Sequence, residues 1–241
     1  MALRNLLRKV RKVARIARRP ALLAPLRHGS AAAVEHEVLL SLLKPATIVD
    51  VGANVGQFSL MAAAIHPRAR IYGFEPIPRA ADVYEKVLGG RTNITLFRCA
   101  IGESETTATL NLSGADDSSS LLPISDSMVS LYPQTQTVGK LGVPVRPLRT
   151  MLPQIQAPAL LKIDVQGAEL EVLKGCGDML AAFDHIYVEL SFRELYLGQP
   201  LASEVICWLA ERGFTACGVY NVSTIAGGAS VQADFLFQRQ P

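Results

Sequence analysis

Short apolar runs alternate with helix-period stretches along most of this 241-residue chain, the pattern of a sheet whose strands are covered on both faces. The clearest unit is Ile48-Val49-Asp50-Val51-Gly52-Ala53-Asn54-Val55-Gly56-Gln57-Phe58. It predicts a buried strand, a glycine-marked turn, and a helix over Phe58–Ile65 that stops near Pro67. A helix over 31–43 leads into it. Arg70-Ile-Tyr-Gly-Phe-Glu75-Pro76 reads as a second strand ending on an acid, followed by a helix over Asp82–Leu88, a strand over Asn93–Arg98 and a turn over Cys99–Gly102. Thr106–Leu112 alternates threonine with apolar residues and reads as an added strand. Residues 113–123 are a polar loop, and 125–142 carry no clear period. Val143 to Leu152 reads as a short edge strand and a turn of helix. A buried strand then ends at Lys162-Ile163-Asp164, with a helix beginning near Gly167, and His185–Phe192 is a further strand carrying Glu189. An amphipathic helix over Ser203–Arg212 precedes two apolar strands, Phe214–Tyr220 and Val231–Phe237, joined by Ile225-Ala-Gly-Gly-Ala229 into a hairpin. No internal repeat appears.

Composition narrows this. With 49% hydrophobic and 19% charged residues, the chain can bury one sizeable core. Cys99, Cys176, Cys207 and Cys217 are scattered without a C-x-x-C pair, which argues against a disulfide framework or structural zinc and for small buried residues in a reducing compartment. No apolar run is long enough to span a bilayer. The net charge of +3 hides an asymmetry: residues 1–27 hold nine cations and no acid, leaving fifteen cations and twenty-one acids in the rest, a net of −6. An acidic body gives no support to nucleic-acid binding. Leu3, Leu6, Leu7, Val10, Val13, Ile16 and Ala17 recur at helical spacing between the cations. This is a basic amphipathic helix of the kind that lies at a membrane interface, docks on a partner or packs on its own domain. The expected division is therefore a basic segment over 1–28 and a main domain over 29–241. The expected location is cytoplasmic, with residues 1–19 as the surface that would touch the inner membrane face.

The chemistry concentrates at strand ends. Gly52 and Gly56 let the backbone turn tightly against a ligand, and the following helix points free N–H groups at it. A dinucleotide fingerprint would need glycine where Asn54 and Gln57 stand, so a nicotinamide enzyme is disfavoured. Glu75 is an acid placed to accept hydrogen bonds from ribose hydroxyls, and Cys99–Gly102, with Ala100, is a wall for an adenine. Asp164 ends a central strand, where open α/β sheets bind their ligands, and Glu189 and Glu169 are the second and third carboxylates. His36 reads as a surface or cap residue, with a place facing the pocket as the alternative, and His66 as a helix-end residue. His185 falls at the wrong end of its strand, and Asp116 and Asp117 read as solvated loop acids.

Asp50-Val-Gly-Ala-Asn-Val-Gly-Gln57, Phe74-Glu75-Pro76, Leu161-Lys-Ile-Asp-Val-Gln-Gly-Ala-Glu-Leu-Glu-Val-Leu-Lys-Gly175 and Val188-Glu-Leu-Ser-Phe192, in this order, resemble the FkbM family of S-adenosylmethionine-dependent methyltransferases. The resemblance implies an α/β, seven-stranded, Rossmann-like class I fold, mostly parallel with a C-terminal antiparallel hairpin. It implies S-adenosylmethionine as cofactor, with Asp50, Gly52, Ala53, Asn54 and Gly56 around its methionine part, Glu75 on the ribose and Ala100 at the adenine. The family usually has Glu where this chain has Gln166, and often Asp where it reads Arg146-Pro-Leu-Arg149. The implied reaction is methylation of a hydroxyl on a small-molecule or glycan acceptor: a sugar, a lipid-linked saccharide or a secondary metabolite. Asp164 is the expected general base with Glu189 beside it; alternatively the pair holds Mg2+, which would activate the hydroxyl instead. The rival reading is a non-catalytic S-adenosylmethionine-binding module, tethered to a membrane or acidic partner by its basic helix.

Overall fold

A computed structural model describes residues 15–16, 19–115, 117–152, 154–225 and 227–240. The strands in chain order are β1 (Thr47–Val51), β2 (Arg70–Phe74), β3 (Ile94–Phe97), β4 (Ala100–Ile101), β5 (Thr106–Ser113), β6 (Thr137–Arg146), β7 (Ala159–Ile163), β8 (His185–Ser191), β9 (Phe214–Thr224) and β10 (Ser230–Arg239). Seven of them form one sheet in the order β3-β2-β1-β7-β8-β10-β9. β3 through β8 in that order run parallel, and β10 is antiparallel to both neighbours. This is the expected mostly parallel sheet with a terminal hairpin.

Alternation along the strands divides the core in two. Val49, Val51, Leu161, Ile163 and Val188 face one layer, containing helices Leu148–Met151, Glu169–Cys176 and Ala202–Ala210. Ile48, Ile71, Leu160 and Tyr187 face the other, containing helices Glu37–Leu42, Gln57–Ile65 and Pro78–Leu88. β1 and β7 are buried along their whole length, as a parallel strand between two helical layers must be. Chain order reverses between β1 and β7, so a crevice opens at their carboxyl ends.

Several expectations are corrected. Cys99–Gly102 is not a plain turn: Ala100–Ile101 pairs in parallel with β6. The expected short edge strand is the end of the ten-residue β6, which pairs antiparallel with β5 in a second, three-stranded sheet of order β4-β6-β5. β6 is the middle strand of that sheet; at Pro144, which has no N–H to donate, it pairs on one side only, since β4 reaches only Val145 and Arg146. The unplaced 125–142 stretch holds helix Asp126–Leu131, a short 3-10 turn and most of β6. Two of the four cysteines, Cys207 and Cys217, are exposed rather than buried.

Most of the basic segment lies outside the described residues. Its end packs on the domain: Ile16 and Leu22 are buried, and Arg15 and Arg19 pair with Glu37 at 2.7 and 2.9 Å. Among the described residues, no helix is long and apolar enough to cross a membrane.

Candidate active site

The carboxyl ends of β1, β2, β7 and β8 open into one cavity of about 1010 Å3. After β1 the backbone enters the left-handed region at Gly52 (φ 79), Asn54 (φ 47) and Gly56 (φ 84). A Cβ on Gly52 would collide with the backbone carbonyl of Asp164, so the loops after β1 and β7 touch where only glycine fits. Gly52, Ala53, Asn54, Glu75 and Ala100 all line the cavity, as do Asp164 and Glu189. Two residues expected at the cofactor sit behind it instead. Gly56 packs against Tyr84 and starts helix Gln57–Ile65. Asp50 is fully buried beneath the turn, accepting a hydrogen bond from Ser59 at 2.7 Å, and Ser59 is in turn held by Tyr84.

Glu75 Oε2 accepts the Asn54 N–H and Oε1 accepts the Ile77 N–H, both at 2.8 Å. Burial outweighs these donors and pushes its pKa up to about 7. Lys162 lies under the junction of the two loops, its Nζ 3.3 Å from Asp50 Oδ1, 3.6 Å from Asp164 Oδ2 and 3.4 Å from the Gly52 carbonyl. Burial alone would pull its pKa down, but the charges of Asp50 and Asp164 outweigh that and raise it.

On the far side of Asp164, Gln166 Nε2 donates to Asp164 Oδ1 at 2.6 Å and to Glu189 Oε2 at 3.2 Å. Its Oε1 accepts the Tyr196 hydroxyl at 2.8 Å. Asp164 is 36% exposed and Glu189 is half-buried; desolvation followed by the Asp164 and Asp234 charges raises the Glu189 pKa well above the carboxylate range. The structure thus brings the two expected carboxylates together through an amide. The expected Mg2+ does not fit this donor set, because an N–H donor stands between the two acids. Among the described residues, no three His, Cys, Asp or Glu side chains converge to hold a metal. Glu169 turns away from the cavity and accepts the Gly167 N–H at 2.9 Å, its pKa pushed up by burial to about 7.

His36 stands at the N-cap of helix Glu37–Leu42, and its alternative reading, a place facing the pocket, holds as well. It lines the cavity as one member of a polar array with Tyr187, Asn221 and Asp234. Tyr187 donates to Asp234 Oδ2 at 2.8 Å, Asn221 donates to the same oxygen at 2.7 Å, and His36 Nδ1 lies 2.9 Å from the Tyr187 oxygen. With the Tyr187 hydrogen on Asp234, the Tyr187 oxygen is free to accept a hydrogen from His36 Nδ1, and Asn221 Nδ2 lies 3.3 Å from the same nitrogen. Burial lowers the His36 pKa, Asp234 opposing it. Sequence reasoning missed Lys162 and Asp234, although each is a lone charge inside an apolar strand, which is a usable signal. His185 stays at the opposite end of β8, away from the cavity. Asp117 lines the cavity, and Asp116 lies outside the described residues.

A sheet of this order, with a glycine turn after β1, an acid after β2 and an acid after the strand beside β1, is the architecture of the class I S-adenosylmethionine-dependent methyltransferases. Residues 50–216 match the methyltransferase FkbM domain, and the chain belongs to that family. It is 31% identical over 174 residues to 2-O-methyltransferase NoeI of Sinorhizobium fredii, covering 68% of this chain and 72% of NoeI. It is 29% identical over 203 residues to the 31-O-demethyl-FK506 methyltransferase FkbM of Streptomyces tacrolimicus, covering 72% of this chain and 74% of that one. The crystal structure of methyltransferase FkbM from Methylobacillus flagellatus KT has the same fold, with a TM-score of 0.52 at 16% identity, over 78% of this chain and 43% of that chain.

Proposed function

We propose that this chain methylates a hydroxyl oxygen of a small-molecule or glycan acceptor. The observation that carries the reading is Asp164, a carboxylate open to the cavity beside the Gly52–Asn54 turn and tied to Glu189 through Gln166. When bound, S-adenosylmethionine supplies an electrophilic methyl group on its sulfonium. Gly52, Ala53 and Asn54 would take its methionine part, Glu75 the ribose diol and Ala100 the adenine, with Asp50 and Gly56 shaping the turn from behind. The residues fit: the left-handed turn at Gly52 and Asn54 lines the cavity beside the end of β7, and Glu75 lines it at the end of β2.

An alcohol is a weak nucleophile at neutral pH. Its proton must leave as the carbon–oxygen bond forms, and a base of this kind contributes about 10²–10⁴-fold. Asp164 receives that proton, and Glu189 stands behind it as the second catalytic carboxylate. Two relatives support oxygen as the acceptor atom, since their names describe a 2-O-methyltransferase and a methyltransferase for a 31-O-demethyl compound. A tethered, non-catalytic binder gains no support from the described part of the basic segment, where Arg15 and Arg19 are both paired with Glu37. Asp164→Asn should keep S-adenosylmethionine affinity within a few-fold in calorimetry and lower labelled-methyl transfer by about 10²-fold or more. Transfer retained at the wild-type rate would remove Asp164 from the chemistry.

A further inference from the structure

We infer that the Gln166 amide stands where a divalent cation would stand between Asp164 and Glu189. This chain then holds its reacting carboxylate without a metal, and the single exchange Gln166→Glu would create a metal site. The role of Gln166 as a positioning residue for Asp164 rests on the proposed function; the metal claim does not.

Gln166 sits at φ 60, in the left-handed region that a long side chain adopts only when its surroundings hold it there. What holds it is a full set of bonds. The Ser120 hydroxyl donates to its backbone carbonyl at 2.6 Å, and the Tyr196 hydroxyl donates to Oε1 at 2.8 Å. Nε2 bears two hydrogens, and it lies 2.6 Å from Asp164 Oδ1 and 3.2 Å from Glu189 Oε2. Flipping the amide would turn its oxygen toward two carboxylates, which fixes the nitrogen on their side; the Tyr196 hydroxyl also lies 3.1 Å from the Ser118 carbonyl. The neighbouring Gly167, at φ 106, lies so close to Tyr196 that a Cβ there would come within 3.1 Å of its side chain, so the ring that donates to the amide packs on this backbone.

The electrostatics call for such a group. Lys162 reaches Asp164 on its Oδ2 and the Gln232 side chain bonds Glu189, and among the described residues Gln166 is the side chain that donates to both acids. Two neighbouring half-buried carboxylates repel each other, and a proton, a donor or a cation between them relieves this. An amide provides the donors at neutral charge. A carboxylate of the same length at position 166 would remove both donors and place three acids around one point, the hard-oxygen set that suits Mg2+ or Mn2+.

The test titrates the full-length wild-type chain with Mn2+, followed by electron paramagnetic resonance and calorimetry. The same titration is made on Gln166→Glu and on Gln166→Glu combined with Asp164→Asn. We expect no stoichiometric Mn2+ on the wild type, one ion per chain on Gln166→Glu, and loss of that ion in the double variant. One Mn2+ on the wild type that disappears in Asp164→Asn would overturn the inference. So would a folded Gln166→Glu that binds none. If Gln166→Glu does not fold by itself, folding on addition of Mn2+ or Mg2+ supports the inference, and failure to fold with either overturns it. Titration of each protein with S-adenosylmethionine runs in parallel; its failure would strike the proposed function and leave the Mn2+ result standing.

Discussion

Glu75 links cofactor affinity to pH in a way that tests its assignment. Burial raises its carboxyl from 4.5 to about 7 despite the Ile77 and Asn54 donors, with Asp50 adding in the same direction. A raised acid pKa means that the folded chain holds the proton more tightly than the unfolded chain does. Stability from this group is therefore lost as pH rises through about 7 and regained as pH falls from there toward 4.5. A shift of that size, at 1.36 kcal/mol per unit, is about 3 kcal/mol, and at 4% exposure little solvent screening reduces it. Ribose hydroxyls donate to a carboxylate, so binding selects the ionised form. Affinity for S-adenosylmethionine should weaken below about pH 7, by up to about tenfold per pH unit, and level off above. Glu75→Gln carries no charge at any pH. It should bind more weakly at pH 8 with a dissociation constant that no longer varies. It should also be more thermally stable than wild type there, by less than 3 kcal/mol, because one of the two backbone donors loses its acceptor at a cost of about 1 kcal/mol or more. Calorimetric titrations at constant ionic strength between about pH 5.5 and 8.5 read this out. A flat wild-type affinity over that range would refute Glu75 as the ribose acceptor. A slope that survives in Glu75→Gln would place the titrating group elsewhere, with Glu169, also raised to about 7, the first suspect.

Gly52→Ala forces a side chain at φ 79 into the Asp164 carbonyl and should cost about 3 kcal/mol or more, lowering Tm by about 10 °C in scanning calorimetry. A shift of under about 3 °C would mean that the two loops part easily. Lys162→Met leaves Asp50 fully buried without its cation and should cost about 3–5 kcal/mol in denaturant unfolding, part of it recovered by adding Asp50→Asn. Equal midpoints for Lys162→Met and wild type would show that the pair contributes nothing. Tyr187→Phe removes the donor to Asp234 and the partner of His36, at about 1–3 kcal/mol. In the wild type, nitrogen chemical shifts should place the His36 hydrogen on Nδ1, donated to Tyr187; a hydrogen on Nε2 would refute that bond.

The local units were legible in the sequence because their causes are local. An apolar run of β-branched residues can be satisfied only between two layers, and Gly52 and Gly56 announce a turn that other residues cannot make, so β1, the loop after it and helix Gln57–Ile65 lie within a residue of their expected bounds. Glu75, Asp164 and Glu189 were found for the same reason, as acids at the ends of apolar strands. β6 was only half read, because its outer residues are solvent-facing and its pairing partner β5 lies some thirty residues away in the chain. The sheet order, and with it the approach of β7 to β1, follows from packing across the whole domain. Only that packing decided that Asp50 would lie under the turn with Lys162, that the 31–43 stretch would fold His36 into the cavity against Tyr187 and Asp234, and that a glutamine would end between two carboxylates. A residue's burial and its partner depend on segments far along the chain. Sequence therefore fixes which groups are available, and the tertiary structure decides which of them meet.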